Sequence, residues 1–437
     1  MKLGLISPKG VCMGSDDNQR RTKQIYSKLV GMETLEELMS CPNSPLLTIA
    51  AIVQDYFTEI KFIDEEVETI DFNESYDLVA MSFMTQQASR AFELAKKYKE
   101  MGVYTCAGGM HPTNSPDETI KYFDTVFIGE GEVTWIEFME DFKRQSPKKI
   151  YQNVDEIDME KVPVPRFDLL KLDAYKTIPI QISRGCPHNC EFCASTKVYG
   201  PKYRHKSVER ILEEVDLVTS LKPNIQIYFT DDNMLVNERF SKKLLTELCK
   251  RKIRWMSHTD IGVAEHEEIL KLLHKSGCSK LVIGFESIEP NSLKHLERWK
   301  YKKYKHYEEY IAKIQSYGVG VWGTFIVGLD SDERSIFQKV VDFALDNNLY
   351  GAMISVPTPF PGSKLYERLE EEDRILTKYW GDYTLWNVVV RPKKMSVKEL
   401  ENGFEYVLTS VYSIENRMKR LNHFKRIYTN LMRNQNV

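Results

Sequence analysis

The 437-residue chain predicts an α/β protein built as an N-terminal doubly wound parallel sheet, a partial barrel of six βα units and a helical C-terminal extension. Three observations lead there. At roughly 100 to 200 residues per domain, the length suits two or three domains with proper cores. Short β-rich runs alternate with amphipathic stretches in two successive blocks, the pattern of parallel sheets covered by helices. Between the blocks, residues 146–175 mix charge with Pro163 and Pro165, show no sustained period and read as a linker. The expected organisation is therefore a sheet domain over 1–145, a linker over 146–175, a barrel over 176–375 and an extension over 376–437.

In the first block the strand-like runs are Lys2–Ser7, Ile60–Ile63, Tyr76–Ser82, Val103–Ala107 and Thr125–Gly129. Leu46–Phe57, Gln86–Met101 and Pro116–Tyr122 carry apolar residues at three- and four-residue steps and predict helices between them. In the second block, apolar runs recur at Ile178–Ile182, Ile225–Phe229, Arg254–Met256, Leu281–Phe285, Val319–Val327 and Ala352–Val356. Helices are expected at Val208–Leu221, Ser241–Lys250, Glu265–Ser276 and Glu333–Asp346. Such a barrel would do its chemistry at the C-terminal ends of its strands. The last 40 residues read as helix. Residues 417–437 hold six Lys or Arg and no acid, which is either a solvated face or a surface for an anionic partner or a peripheral membrane contact.

Sixty basic residues against 63 acidic ones leave a formal charge of −3, so no nucleic-acid partner is expected. The most apolar run, Gly318–Leu329, spans 12 residues and includes four glycines, too short to cross a bilayer. The first residues lack a signal-peptide pattern, and a cytoplasmic location is expected. Eight cysteines are too few for a disulfide scaffold in a chain this long, which favours metal or redox roles.

Cys186, Cys190 and Cys193 fall within eight residues, just after the first strand of the second block. One loop could wrap these three thiolates around one metal centre, and soft thiolates select zinc, copper(I) or iron–sulfur clusters. Structural zinc and ordinary four-iron clusters want four protein ligands. With three, either His188 or His205 completes a zinc site in a non-catalytic binding protein, or an open iron position is left for a substrate or cofactor.

The three cysteines, with aromatic Phe192 just before the third, resemble the radical S-adenosylmethionine (SAM) superfamily. The resemblance implies that Cys186, Cys190 and Cys193 hold a 4Fe-4S cluster whose unique iron chelates SAM, that one electron cleaves SAM to a 5'-deoxyadenosyl radical, and that Phe192 lies beside the adenine. It also implies an electron donor such as flavodoxin or ferredoxin. Thr230-Asp231-Asp232-Asn233 follows the second barrel strand, where the superfamily binds the methionyl amino group; read locally, these residues are also good helix caps. Gly284-Phe285-Glu286-Ser287, Gly328-Leu329-Asp330 and Val356–Gly362 match at the ends of the fourth, fifth and sixth strands, so Glu286, Ser287, Gly328 and Val356 join the expected SAM site. Cys278 reads as a small buried hydrophobe.

Gly108-Gly109 and Gly129-Glu130-Gly131-Glu132 follow strands, where glycine permits close backbone approach or a positive φ angle. With Ser82-Phe83-Met84-Thr85 they resemble the Rossmann-like cobalamin-binding domain that precedes the radical SAM barrel, a (βα)6 unit, in the subfamily of tetrapyrrole cyclases and hopanoid methylases. Trp386–Lys393 extends the likeness towards the C-terminus. The resemblance implies that Ser82, Thr85, Gly108 and Gly109 hold the nucleotide tail of cobalamin. An Asp-x-His-x-x-Gly loop is missing, since the first histidine is His111, so that loop cannot ligate cobalt. The implied activity is cobalamin-dependent methylation of an unactivated carbon in a small-molecule, lipid or peptide substrate. The alternative in the same class is a radical cyclase or oxidoreductase that transfers no methyl group. A second cluster on Cys12, Cys41 and Cys106 is the remaining reading of the scattered cysteines.

Overall fold

The computed structural model describes residues 1–10, 41–296 and 298–435. Among these residues the first sheet has six parallel strands, β1 (Lys2–Ser7), β2 (Glu59–Asp64), β3 (Leu78–Ser82), β4 (Tyr104–Gly108), β5 (Thr125–Ile128) and β6 (Ile150–Gln152), in the order β2-β1-β3-β4-β5-β6. Among its central strands β3 is apolar without alternation through Leu78-Val79-Ala80-Met81, because helices cover both faces and all its side chains are buried. Those helices are α1 (Ser44–Val53), started by Pro45, α2 (Ala88–Glu100), α3 (Met110–Asn114), α4 (Pro116–Thr119) and α5 (Gly131–Lys143). The strand order reverses between β1 and β3, which opens a crevice at their carboxyl ends.

β6 lies in the stretch expected as linker. Its pattern is exposed-buried-exposed, with Tyr151 the single inward residue, so three residues carry too little periodicity to announce a strand.

The second sheet begins with β7 (Thr177–Ile180) and continues with β10 (Gln226–Phe229), β11 (Arg254–Thr259), β12 (Cys278–Glu286), β13 (Gly320–Ile326) and β14 (Gly351–Ser355), after a small ladder of β8 (Ser183–Arg184) and β9 (Arg204–His205). The six long strands run parallel in chain order, an open six-stranded βα barrel. Along it run α6 (Ser195–Tyr199), α7 (Val208–Leu221), α8 (Glu238–Leu248), α9 (Glu267–Lys275), α10 (Pro290–Leu296), α11 (Arg298–Lys303), α12 (Tyr307–Ser316) and α13 (Ser335–Asp346). The starts of α7 and α8 follow from capping: Ser207 accepts from the Arg210 amide, and Asn237 from that of Phe240.

The chain after the last barrel strand forms α14 (Lys364–Glu371), which lies in the stretch expected as barrel but is grouped here with the C-terminal extension, then α15 (Val397–Val411) and α16 (Ile414–Gln435). Ser396 and Glu399 form a reciprocal capping box that starts α15. Between α14 and α15 the chain crosses back to the first sheet, where Trp380 and Tyr383 join the apolar cluster of Phe83, Phe92 and Tyr98.

Candidate functional site

The chain after β7 forms a loop over residues 185–203, closed at its base by the β8–β9 ladder, in which Ser183 faces His205 and Arg184 faces Arg204. Cys186, Cys190 and Cys193 all lie on this loop, and none is in a disulfide. The amide of Cys186 donates to the Gly200 carbonyl and that of Cys193 to the Cys190 carbonyl. Gly185 enters the loop at φ +86°, where a Cβ would stand 2.1 Å from the Lys202 carbonyl oxygen, so only glycine fits. The donor chemistry suits a thiolate-held cluster. Among the described residues, though, no three His, Cys, Asp or Glu side chains converge tightly enough to hold a metal ion. The loop thus supplies three soft donors without closing them round one point. The two histidines of the zinc reading are engaged elsewhere: His188 stacks on Trp299 with centroids 4.2 Å apart, and His205 on Phe240 at 3.9 Å.

The acidic pair after β10 faces two ways. Asp231 is buried and takes hydrogen bonds from both the Ser183 amide and the Ser183 hydroxyl on its Oδ1, fixing the start of the cysteine loop. Its Oδ2 is buried without a partner, and burial pushes the carboxyl up to about 7 against the Ser183 bonds. Asp232 is exposed. Thr230 is half-buried and donates its amide to Ile180. Asn233 is buried between Thr259, which donates to its carbonyl at 3.0 Å, and Asp260, which accepts from its amide at 2.8 Å.

At the end of β12 the register slips between Gly284 and Glu286, and Glu286 takes φ +61°, unusual for a non-glycine residue. Lys300 of α11 meets its carboxylate at 2.8 Å. Gly284 makes room for this pair, since a Cβ there would lie 2.2 Å from the Glu286 Oε1. Ser287 is buried and its hydroxyl accepts from the Glu289 amide. Gly328, at φ +94°, donates its amide to Asp332. Val356 is buried, with its amide on the Leu385 carbonyl. Phe192 packs against the apolar cluster that joins the first sheet to the C-terminal extension.

On the first sheet, Ser82 of β3 pairs in register with Gly108 of β4. Gly109 has φ +101°, and its missing Cβ would sit 2.9 Å from both the Ser82 hydroxyl and the Phe83 amide nitrogen. Thr85 is buried, and its hydroxyl is 3.4 Å from His111 Nδ1. His111 is fully buried with Phe83 and Trp380 rings around it and Glu118 3.6 Å from its Nε2. Four expected cobalamin contacts are therefore gathered at one sheet edge, beside the reversal of strand order. Of the second-cluster triad, Cys12 lies outside the described residues, and Cys106 is in β4 with burial raising its thiol pKa.

The two sheets meet at the cysteine loop. Glu130, at the end of β5, accepts from Arg184 at 3.1 Å and from both terminal nitrogens of Arg204 at 3.0 Å, while Glu132 accepts from Arg184 at 2.5 Å. On the other side of the loop, Glu191 accepts from Arg368 of α14 at 2.5 Å.

Sequence reasoning missed these arginines, Lys300, and the neighbouring rings of Tyr228 and His258, whose centroids are 5.7 Å apart. Tyr228 and His258 lie on the strand face opposite Ile227 and Phe229. Burial lowers the His258 pKa to about 4, so its imidazole is neutral at pH 7. The available signal was a histidine at the carboxyl end of a barrel strand.

Comparison with known proteins matches residues 180–344 to the radical SAM superfamily model and residues 39–138 to the B12 binding domain model. The chain carries a radical SAM domain and, ahead of it, a B12-binding domain. Residues 363–437 of this radical SAM enzyme match a domain of unknown function (DUF4070). It is 29% identical over 386 residues to the bacteriochlorophyllide d C-12(1)-methyltransferase of Chlorobaculum tepidum, covering 86% of this chain and 84% of that protein. It is 27% identical over 351 residues to the hopanoid C-2 methylase of Rhodopseudomonas palustris, covering 77% and 65%. The cobalamin-dependent SAM radical enzyme OxsB shares the fold, with a TM-score of 0.69 at 15% identity over 100% of this chain and 71% of that one. The two domains imply a 4Fe-4S cluster, SAM and cobalamin as cofactors. Among the described residues no helix is long and apolar enough to cross a membrane.

Proposed function

We propose that this radical SAM enzyme methylates an unactivated carbon of a small-molecule substrate, with Cys186, Cys190 and Cys193 as cluster ligands and the edge formed by Ser82, Thr85, Gly108 and Gly109 as the cobalamin seat. The observation that carries the reading is the meeting of the two ligand-bearing edges: the loop with the three thiols is bound on one side to the end of β5 and on the other to α14. When bound, the cluster and cobalamin supply radical generation from SAM and methyl carriage, chemistry that belongs to the cofactors. The chain supplies placement. Asp231 holds the start of the loop through Ser183, and Asp232 offers an exposed carboxylate for the SAM ammonium. Glu286 with Lys300, Ser287, Gly328 and Val356 finish the other strand ends, and Phe192 walls the loop from the first domain. The similarity to methyltransferases of a tetrapyrrole and of a hopanoid supports a large, mostly apolar substrate.

The test is anaerobic turnover with SAM carrying a labelled methyl group, with and without cobalamin, on candidate tetrapyrrole and polycyclic lipid substrates. Label in the product, with 5'-deoxyadenosine and S-adenosylhomocysteine both formed only when cobalamin is present, is expected. Unlabelled product accompanied by 5'-deoxyadenosine alone would instead establish the cyclase or oxidoreductase reading.

Two partners follow from this reading. A one-electron donor such as flavodoxin or ferredoxin reduces the cluster. An anionic lipid surface receives α16, whose exposed Ile414, Met418, Leu421 and Met432 recur at helical spacing beside Lys419, Arg426 and Arg433.

A further inference from the structure

Arg184 and Arg204 face each other across the two-residue ladder at the base of the cysteine loop, and their side chains are only 8% and 9% exposed. Like charges directly opposite on paired strands repel, and a ladder this short has little of its own to hold it. Buried cations also need partners. The partners come from the other domain: Glu130, with its side chain 4% exposed, bridges both guanidinium groups, and Glu132 takes the other terminal nitrogen of Arg184, whose Nε donates to Gln181. The same Glu130 accepts from the Ile157 amide at 3.0 Å, while Arg204 donates onward to the carbonyls of Ile157 and of Tyr199 inside the loop. Two arginines and two glutamates thus form a neutral, buried cluster with the loop on one side and the end of β5 on the other.

We propose that Glu130 is a positioning residue, which makes order in the cysteine loop depend on the B12-binding domain being docked against it. By neutralising the arginine pair it lets β8 and β9 close, and closure sets where the loop cysteines stand relative to the edge of the first sheet. The coupling is reciprocal: whatever stabilises the loop, including an occupant of its thiols, also stabilises docking of the domain that carries Glu130. The proposal rests on the loop being the cluster loop, as set out above, but the clamp itself can be measured without any cofactor.

Two amides report closure, that of Cys186, which donates to Gly200, and that of Lys206, which donates to Ile182. Hydrogen exchange on cofactor-free full-length protein should show both amides exchanging at least tenfold faster in Glu130→Gln than in wild type. Glu156→Gln should leave them unchanged, because the pair Glu156 makes with Lys202 of the same loop is exposed. The double variant Glu130→Gln/Arg204→Gln removes the facing like charge and should return the exchange towards wild type, a rescue that a merely structural glutamate would not give. Glu130→Asp, which keeps the charge on a shorter stem, should be intermediate and serves if Glu130→Gln does not fold. Unchanged exchange at both amides, or an equal rise throughout the chain, would overturn the proposal. In a second arm, an iron chelator should strip reconstituted Glu130→Gln at least fivefold faster than wild type, and the paramagnetic resonance spectrum of the reduced cluster should lose its change on SAM addition. Equal stripping rates would count against the clamp. Wild type that takes up no iron would sink the cluster reading of the loop, with the exchange arm still deciding the clamp.

Discussion

Asp231 and Asp232 are neighbours with different duties, and substitution should separate them. Asp232→Ala should weaken SAM binding by about 1.5 to 3 kcal/mol, the range for a hydrogen bond to a charged group, as read by calorimetry on the reconstituted enzyme. Asp231→Ala should instead loosen the loop, since it frees the Ser183 amide and hydroxyl. Because burial raises the Asp231 pKa from about 3.8 to about 7, the folded protein holds this proton more tightly than the unfolded chain does. Stability from this group is therefore full below pH about 4 and is lost as pH rises to about 7, at a slope of up to about 1.4 kcal/mol per pH unit. Asp231→Asn should flatten that part of the apoprotein's stability curve, and an unchanged curve from denaturant titrations would show that the carboxyl stays ionised. Replacing Cys186, Cys190 or Cys193 with Ala should each abolish the bound iron and SAM cleavage, while Cys249→Ala, half-buried at the end of α8, should keep both.

At the scale of elements, strand ends and the turns that follow them carry the site. Gly185→Ala would set a Cβ against the Lys202 carbonyl at positive φ, so it should cost on the order of 1 to 3 kcal/mol or more and lower iron uptake. The double glycine after β4 divides in the same way. A Cβ at Gly108 meets only Phe127 at 3.7 Å, an ordinary contact, whereas one at Gly109 strikes Ser82 and Phe83. Gly108→Ala should fold normally and Gly109→Val should not, as thermal unfolding of the two variants will tell. Gly109 is thus needed by the turn itself, before any cofactor approaches. The register slip in β12 is a comparable device, because it turns Glu286 towards Lys300 instead of letting it follow the strand's alternation.

For the whole molecule, the C-terminal extension acts as a strap over both domains. Asp330, at the end of the fifth barrel strand, gathers Arg368, Arg374 and Lys393. Burial alone would raise its pKa, but the bonds from Arg374 and Lys393 outweigh it and hold the carboxyl at about 2. A depressed folded pKa contributes stability that is present above pH about 4 and lost as pH falls towards 2. Asp330→Asn should accordingly lower the melting temperature at pH 7 and make the remaining acid loss shallower, and equal melting temperatures would assign the strap to its apolar contacts. The last helix should carry the protein onto vesicles containing anionic lipid but not onto neutral ones, and Leu421→Glu should reduce sedimentation with them. Failure to bind either kind leaves the basic face as a solvated one.

Much of this was legible in the chain because it is local. Apolar runs set the strands, Ser207 and Asn237 set helix starts, and three cysteines within eight residues announced a soft-metal loop. The resemblance these motifs carry reached both domains and their cofactors. What the residues could not reveal alone are long-range pairings, since a charge pattern does not say which distant charge answers it. Gly-Glu-Gly-Glu looked like a turn before a helix, and only the packed molecule shows Glu130 set against Arg184 and Arg204, 54 and 74 positions away. The direction each acid faces is equally a tertiary matter: Asp231 and Asp232 are the same residue type in succession, and the chain's path past Ser183 alone decides which is buried and which meets solvent.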